Sequence, residues 1–184
     1  MIDATGATTQ ADLARRIYQA AHLTGEFRLR SGAVSGEYFD KYLFEADPGL
    51  VLDIATGLVA LLPARTELLA GLELGGIPLV TLVSQATGIP ARFVRKRAKD
   101  YGTCRLAEGG DVEGRRVVLV EDVVTSGGAV VDAARELRLL GARVDTVICV
   151  IDRESSGRDN LAAIGLELRP LFTMSALKAA AEAG

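Results

Sequence analysis

Residues 117–131 read VVLVEDVVTSGGAVV, an apolar run that ends in two adjacent carboxylates and then in a turn of small residues. A short, almost wholly apolar run is typical of a strand covered on both faces. Glu121 and Asp122 would pay for desolvation and mutual repulsion inside such a strand unless a partner offsets both. The stretch therefore predicts a strand whose functional end faces a ligand, a cation or a sugar.

The same alternation of apolar strands and helices continues along the chain. TELLAGLE, ARFVR and VDTVICVID are further strand candidates, and IPLVTLVSQATG and residues 126–140 have helical spacing. Other patterns predict a helix capped by Thr9, short surface strands within residues 27–44, a helix from Asp47-Pro48 and a final helix in SALKAAAEA. These patterns predict an α/β fold with a mainly parallel central sheet flanked by helices.

Composition limits the class of protein. The 184 residues are 49% hydrophobic and fit a single domain, and the net charge of -3 predicts no general attraction to nucleic acid or to an anionic membrane. Cys104 and Cys149 lack the spacing of a zinc site. Without a signal-peptide pattern or a long apolar span, we expect a cytoplasmic protein.

The turn after the acidic pair is a candidate phosphate site. Residues 125–128 are Thr-Ser-Gly-Gly, and small residues at a helix N-terminus let backbone N–H groups approach a phosphate. A plain turn capped by Thr or Ser is the alternative. The neighbouring carboxylates favour a sugar phosphate, because they accept hydrogen bonds from ribose hydroxyls or help to hold a magnesium ion that phosphates also bind. The pattern is neither GxGxxG nor GxxxxGK[ST], which argues against a dinucleotide or P-loop site.

A basic segment follows one of the predicted strands. Residues 92–105 contain six Arg or Lys side chains and one Asp in a chain of net negative charge. A solvated loop is the usual explanation. Beside a sugar-phosphate site, mobile cations would stabilise a departing diphosphate and exclude water.

Residues 117–131 resemble the signature of type I phosphoribosyltransferases, which bind 5-phosphoribosyl 1-pyrophosphate (PRPP). FVRKRAKDYGT is similar to the catalytic loop of orotate phosphoribosyltransferases, and RLRSGAVSGEYFDKY, LELGGIPLV and DRESSG resemble further segments of that family in the same order. The resemblance implies a small N-terminal hood, from about residue 1 to 45 plus the C-terminal segment, and a flexible catalytic loop. It also implies transfer of phosphoribosyl from PRPP to orotate, magnesium held mainly by PRPP with no certain protein ligand, and a homodimer that shares the 95–105 loop.

The resemblance also implies roles for individual residues. Lys99, Glu121 and Asp122 are the implied catalytic residues. The implied orotate-binding residues are Arg30, Tyr38, Phe39, Thr125 and Arg153. The implied PRPP-binding residues are Gly75, Gly76, Arg95, Lys96, Lys99, Tyr101, Glu121, Asp122, Val123, Val124, Thr125, Ser126, Gly127, Gly128 and Ala129.

The sequence departs from the family pattern at several positions, and some of these departures leave alternatives open. Tyr101 stands where the family's loop has histidine, and a tyrosine is a neutral donor that supplies no imidazolium charge. Gly75 stands where some members have lysine, which would leave backbone N–H groups to hold the diphosphate. Tyr101, together with Ala33 and Gly36-Glu37 where the family has other residues, leaves open a phosphoribosyltransferase for another base. A PRPP-binding regulator without catalysis is the second alternative.

Overall fold

A six-stranded sheet forms the centre of the protein in a computed structural model that describes residues 9–28, 32–96 and 106–183. The strand order is β5-β4-β3-β6-β7-β8, and every neighbouring pair is parallel except β4 and β5. A separate antiparallel pair is formed by β1 and β2. In chain order the elements are α1 (Gln10–Ala21), β1 (His22–Arg28), β2 (Val34–Phe39), α2 (Lys41–Ala46), α3 (Pro48–Val59), β3 (Leu68–Leu72), α4 (Gly76–Thr87), β4 (Ala91–Val94), β5 (Ala107–Glu108), β6 (Arg116–Val124), α5 (Gly128–Leu139), β7 (Arg143–Asp152), α6 (Gly157–Ala162), β8 (Glu167–Thr173) and α7 (Met174–Glu182).

The sheet is covered on both faces, as the apolar runs predict. On one face, Ile54 and Leu58 of α3 and Leu79 of α4 pack with Val118 and Val120 of β6. The core of the other face contains Leu119 of β6 and the buried side of α5. Since a strand points successive side chains to opposite faces, β6 contributes to both cores.

Local sequence signals explain where several helices begin. The Thr9 side chain accepts a hydrogen bond from the Asp12 N–H at the start of α1, and Asp47 accepts from the N–H groups of Gly49 and Leu50 at the start of α3. Pro48 at the first position of α3 fits the same rule. These helix starts and the mainly parallel α/β architecture are therefore confirmed.

The sequence predictions are wrong in a few places. The end of the stretch expected to form surface strands is helix α2, because the Asp40 side chain caps the N–H of Tyr42 and Phe44 anchors the helix in the core. Helix α5 begins at Gly128 rather than at residue 126. Strands β5 and β8 and helix α6 were not predicted. Strand β8 contains Pro170 and only two buried residues, which fits an edge strand.

Candidate active site

The carboxyl ends of β3, β6 and β7 meet at one edge of the sheet, where helices α4 and α5 begin. The connection from β3 to α4 contains Gly75, and the connection from β6 to α5 is the Thr125–Ser126–Gly127 turn. Ligands of open parallel sheets bind at this edge, because the loops there leave a crevice between neighbouring strands. The geometry thus brings the two predicted phosphate loops to the same side of β6.

The turn after β6 has the form of a phosphate-binding turn rather than of a side-chain-capped one. Gly127 has φ +74° and begins α5 without a side-chain cap in the described part of the chain. Thr125, Ser126, Gly128 and Ala129 are exposed. A helix N-terminus without a side-chain cap presents free N–H groups and the positive end of the helix dipole to an anion.

Residues of the next connection fix the carbonyl side of this turn. The Ser155 hydroxyl donates to the Thr125 carbonyl at 2.8 Å, and the Asn160 amide donates to the Ser126 carbonyl at 3.0 Å. A side chain at Gly157 would overlap the Thr125 carbonyl. With its carbonyls bonded on one side, the turn is preorganised for an anion on the other. Sequence reasoning missed these residues, because no local pattern links them to the turn.

The acidic pair at the end of β6 is divided by the alternation of the strand. Glu121 is partly exposed, whereas Asp122 is fully buried. The Lys41 ammonium of α2 lies 2.5 Å from Asp122 Oδ2. Asp122 thus has a protein cation as its partner, and its predicted contact with ribose stays a prediction.

Three carboxyl groups surround this one lysine. Glu45 lies one helical turn after Lys41, and the Oε1 atom of Glu45 and the Oε2 atom of Glu121 are buried without a hydrogen-bond partner among the described residues. Burial and the neighbouring Asp122 raise the pKa of Glu45 to about 8 and raise that of Glu121 well above its usual value. Burial alone would raise the pKa of Asp122, but its contacts with Glu121 and Lys41 hold it below the usual value. These shifts favour the protonated forms of Glu45 and Glu121, whereas the ion pair favours the charged forms of Lys41 and Asp122.

Gly75 lies directly over this cluster. A Cβ atom at position 75 would overlap the Asp122 carboxylate and come within 2.8 Å of Glu45 Oε1. A Cβ at Gly76 would overlap the Val120 carbonyl. Both predicted diphosphate-loop glycines are therefore required by the close packing of the loop on β6.

The structure has a cavity of about 420 Å³ between α1, β8 and α7, which contains none of the predicted site residues. A second cavity, of about 580 Å³, lies between the ends of β3 and β4 and the start of α5. The latter brings together four predicted PRPP-binding residues, Arg95, Lys96, Gly128 and Ala129. Glu73 fixes the start of the basic segment, because its carboxylate accepts the Lys96 N–H at 2.7 Å. This cavity thus joins the phosphate turn to the first cations of the basic segment.

A smaller cavity of about 290 Å³ contains predicted base-binding residues. Tyr38, Phe39 and Arg153 line it together with His22 and Lys178. The Arg153 N–H donates to the Val124 carbonyl, which ties this residue to the end of β6. A cationic cavity with aromatic walls suits a planar anion. His22 caps the C-terminal end of α1 and also lines this cavity, where its ring stacks on that of Tyr18 with 4.7 Å between the ring centroids.

Some predicted site residues lie outside the described part of the chain, and others contribute no side chain to the site. Arg30, Lys99 and Tyr101 lie outside the described residues. Val124 is a core side chain and Val123 packs partly against the core, so a PRPP contact at either position remains a prediction for the backbone. Lys41 and Glu45 were missed, since residues 27–44 were interpreted as short strands and no element was predicted for Glu45. A short helix capped by Asp40, with Lys and Glu four residues apart, was the available signal.

The described residues contain no group of three or more His, Cys, Asp or Glu that would hold a metal ion. Magnesium fits the site in another way, since it is commonly held by one or two carboxylates together with substrate phosphates, and Glu121 Oε2 has no hydrogen-bond partner in the described part of the chain. None of the described helices has the length and hydropathy needed to cross a bilayer.

Comparison with known proteins first identifies the class. The family model of the phosphoribosyl transferase domain matches residues 53–165, more than half of the chain. The orotate phosphoribosyltransferase of Mycobacterium tuberculosis has a similar fold, with a TM-score of 0.83 and 30% identity over 91% of this chain and 98% of that one. A crystal structure of the same enzyme with PRPP gives a TM-score of 0.78 at 27% identity, covering 92% of this chain and 98% of that one. The fold is thus that of a type I phosphoribosyltransferase.

Relatives that are similar in sequence then identify the enzyme family within this class. An orotate phosphoribosyltransferase of Nocardioides sp. is 60% identical over 177 residues, which is 96% of this chain and 99% of that protein. One from Methanocella arvoryzae is 43% identical over 153 residues, covering 83% of this chain and 87% of that protein. The chain belongs to the orotate phosphoribosyltransferase family of pyrimidine biosynthesis.

Proposed function

We propose that this protein transfers the 5-phosphoribosyl group of PRPP to orotate, forming orotidine 5'-monophosphate and releasing pyrophosphate. The observation that carries the proposal is the position of the base cavity with Arg153 at the end of β7, next to the phosphate turn at the end of β6. The two sites share one sheet edge, so a base and a phosphoribosyl group bound there would be neighbours.

The phosphate turn binds the 5-phosphate of PRPP through the N–H groups at the start of α5. The carbonyl contacts from Ser155 and Asn160 hold the turn in the conformation that presents these donors. Glu121, partly exposed at the end of β6, accepts hydrogen bonds from the ribose hydroxyls. Asp122 lies behind it, under Gly75.

The diphosphate lies toward the start of α4 and the basic segment. Gly75 and Gly76 allow close approach of the backbone, and Arg95, Lys96 and Lys99 stabilise the charge that builds as the bond to ribose breaks. Magnesium, when bound with PRPP, neutralises part of the diphosphate charge. Glu121 would hold it, since its Oε2 atom has no hydrogen-bond partner among the described residues.

Orotate binds in the cavity between β1, β2 and the end of β7. The Arg153 guanidinium pairs with the orotate carboxylate, and Tyr38 and Phe39 pack against the ring. We infer that Arg30 and Thr125 complete this site, as the family resemblance implies. The protein acts by holding both reactants in line and by stabilising the leaving group.

Replacement of Arg153 tests the base site. Uracil lacks the carboxylate of orotate, so Arg153→Leu is expected to abolish the preference for orotate over uracil and to raise KM for orotate with little change in KM for PRPP. Arg153→Lys, which keeps the charge without the fork of donors, is the matched control and is expected to retain part of the preference. An unchanged ratio of kcat/KM for the two bases in Arg153→Leu would show that another residue reads the carboxylate.

We also propose that the chain acts as a homodimer, with the 95–105 loop reaching the partner's site, and forms one domain with a hood near the base cavity. The support is the family resemblance and the position of β1 and β2, which form their own sheet and contribute Tyr38 and Phe39 to that cavity.

A further inference from the structure

The cluster under Gly75 presents a cation that neither the sequence motifs nor the proposed site includes. Lys41 is the first residue of α2 and directly follows the segment that contributes Tyr38 and Phe39 to the base cavity. Its side chain is about a third exposed, at 32%, while the Asp122 carboxylate with which it pairs is fully buried. Of this ion pair, only the lysine side chain is partly exposed.

The position of this ammonium relative to the diphosphate loop follows from a shared neighbour. Asp122 Oδ2 contacts Lys41 Nζ at 2.5 Å, and the same oxygen occupies the space that a Cβ of residue 75 would need. Lys41 therefore lies beside the Gly75–Gly76 loop. Helix α4 begins there without a side-chain cap among the described residues. An ammonium and an uncapped helix N-terminus at one point form an environment for an anion.

The cluster is also built to keep this lysine charged and oriented. Burial alone would lower the pKa of Lys41, but the contact with Asp122 raises it above the ordinary value. Glu45 and Glu121 add carboxyl groups on the α2 side and the β6 side. The raised pKa of Glu45 favours its protonated form, which adds less negative charge beside the lysine than a carboxylate would.

Gly75 explains why the cation comes from α2. A side chain at position 75 cannot be placed without moving Asp122, so this loop itself has no room for a lysine. Backbone N–H groups alone, the expectation from the sequence, would supply no full positive charge at this loop. Lys41 reaches the same place from the neighbouring helix.

We propose that Lys41 is a PRPP-binding residue that contacts the diphosphate at the Gly75–Gly76 loop, and that Asp122 acts as the positioning residue that holds it there. This rests on the proposed function, since it assigns a further residue to the same PRPP site. It changes the role of Asp122 from a direct ribose ligand to the anchor of a substrate-binding lysine.

Binding of PRPP and of two of its fragments distinguishes a role of Lys41 in binding the diphosphate from a purely structural role. Binding of PRPP, inorganic pyrophosphate and ribose 5-phosphate, each with magnesium, is measured by calorimetry for the native protein and for Lys41→Met. The affinities for PRPP and pyrophosphate are expected to fall at least about tenfold, because a charged contact is lost. Binding of ribose 5-phosphate and KM for orotate are expected to stay within about twofold. Lys41→Arg, which keeps the charge, is expected to recover much of the loss, and Arg135→Met on the exposed face of α5 controls for the change in net charge.

A double substitution tests the part assigned to Asp122. If Asp122 acts through Lys41, adding Lys41→Met to Asp122→Asn is expected to change PRPP affinity by less than about twofold. The double variant also removes both charges of the buried pair, so it remains informative if Lys41→Met alone fails to fold. Equal loss of all three ligands, loss confined to ribose 5-phosphate, or additive effects in the double variant would each overturn the proposal. A native protein that binds no PRPP would instead refute the proposed function.

Discussion

Gly75 is a residue whose identity is set by a single neighbour, Asp122. A methyl group at position 75 would overlap the Asp122 carboxylate, which is fully buried and paired with Lys41. Gly75→Ala is therefore expected to displace this ion pair and to raise KM for PRPP by about tenfold or more, since a buried charge pair loses its geometry. Steady-state kinetics with both substrates measures the effect. Gly88→Ala, at a glycine with no atom near its missing Cβ and away from the site, tests whether loss of any helix-end glycine has the same result; equal effects of the two would contradict the assigned contact.

Glu45 gives the site a pH dependence. Burial and Asp122 raise its pKa to about 8, while Lys41 opposes the shift. Above that pH the carboxyl becomes charged beside Lys41 and competes with the diphosphate for it, so KM for PRPP is expected to rise as the pH passes about 8. Glutamine mimics the protonated carboxyl, and Glu45→Gln is expected to match the native protein at pH 7 and to lack this rise. An identical alkaline limb in both proteins would assign the titration to another group.

The proton bound by the Glu45 carboxyl group also contributes to the stability of the folded protein. Because the folded protein binds it more tightly than the unfolded chain, stability from this group is present at low pH and is lost as the pH rises from the usual value of 4.5 through about 8. The free energy of unfolding, from urea titrations across this range, is expected to fall less steeply in Glu45→Gln than in the native protein. Parallel pH profiles would show that the shifted pKa is not a property of this residue.

At the scale of elements, the start of α5 depends on contacts from the connection between β7 and β8. Asn160→Ala removes the hydrogen bond to the Ser126 carbonyl and leaves the rest of α6 unchanged. We expect PRPP affinity to fall by about fivefold, in line with about 1 kcal/mol for one hydrogen bond, while kcat for bound substrates changes little. Kinetics at saturating orotate measures this. A fall in kcat alone would mean that the turn acts on the chemical step and not on binding.

Helix α3 offers a stability test away from the site. Asp47 accepts the N–H groups of Gly49 and Leu50, and Asp47→Ala is expected to cost about 1 kcal/mol in the free energy of unfolding. Chemical denaturation measures the loss, and KM for both substrates serves as the control because Asp47 touches neither cavity. A large change in KM would mean that α3 and the site are coupled.

The sequence was sufficient for those elements whose signals are local. The apolar runs predicted β3, β6 and β7, because strands buried on both faces need continuous apolar side chains, and the short run ARFV predicted β4, of which only Val94 is buried. Edge strand β8 was not predicted, since it contains Pro170 and most of its side chains are half-exposed, so it has no continuous apolar run. Helix α2 was not predicted either, since its six residues are too few to show a helical period in the sequence. The partner of Asp122 was not predictable, because Lys41 precedes it by about eighty residues and only the fold brings them together.

At the scale of the whole molecule, the proposed dimer makes a prediction by mixing. Lys99→Ala would disable the loop and Asp122→Asn the PRPP site, and each variant alone is expected to have low activity. If the loop serves the partner's site, exchange of subunits produces mixed dimers with one intact site and restores part of the activity. Activity that stays at the level of the separate variants after subunit exchange, verified by mass, would place the loop in its own subunit's site.

The choice of base decides among the enzyme for orotate, an enzyme for another base and a regulator that only binds PRPP. Pyrophosphate release from PRPP and magnesium is measured with the native protein and orotate, and in parallel with uracil, hypoxanthine, guanine and adenine. The cavity with Arg153 and two aromatic side chains predicts rapid release with orotate and little with the four bases that lack its carboxylate. Faster release with any of those four, or none at all from a protein that binds PRPP, would contradict the account.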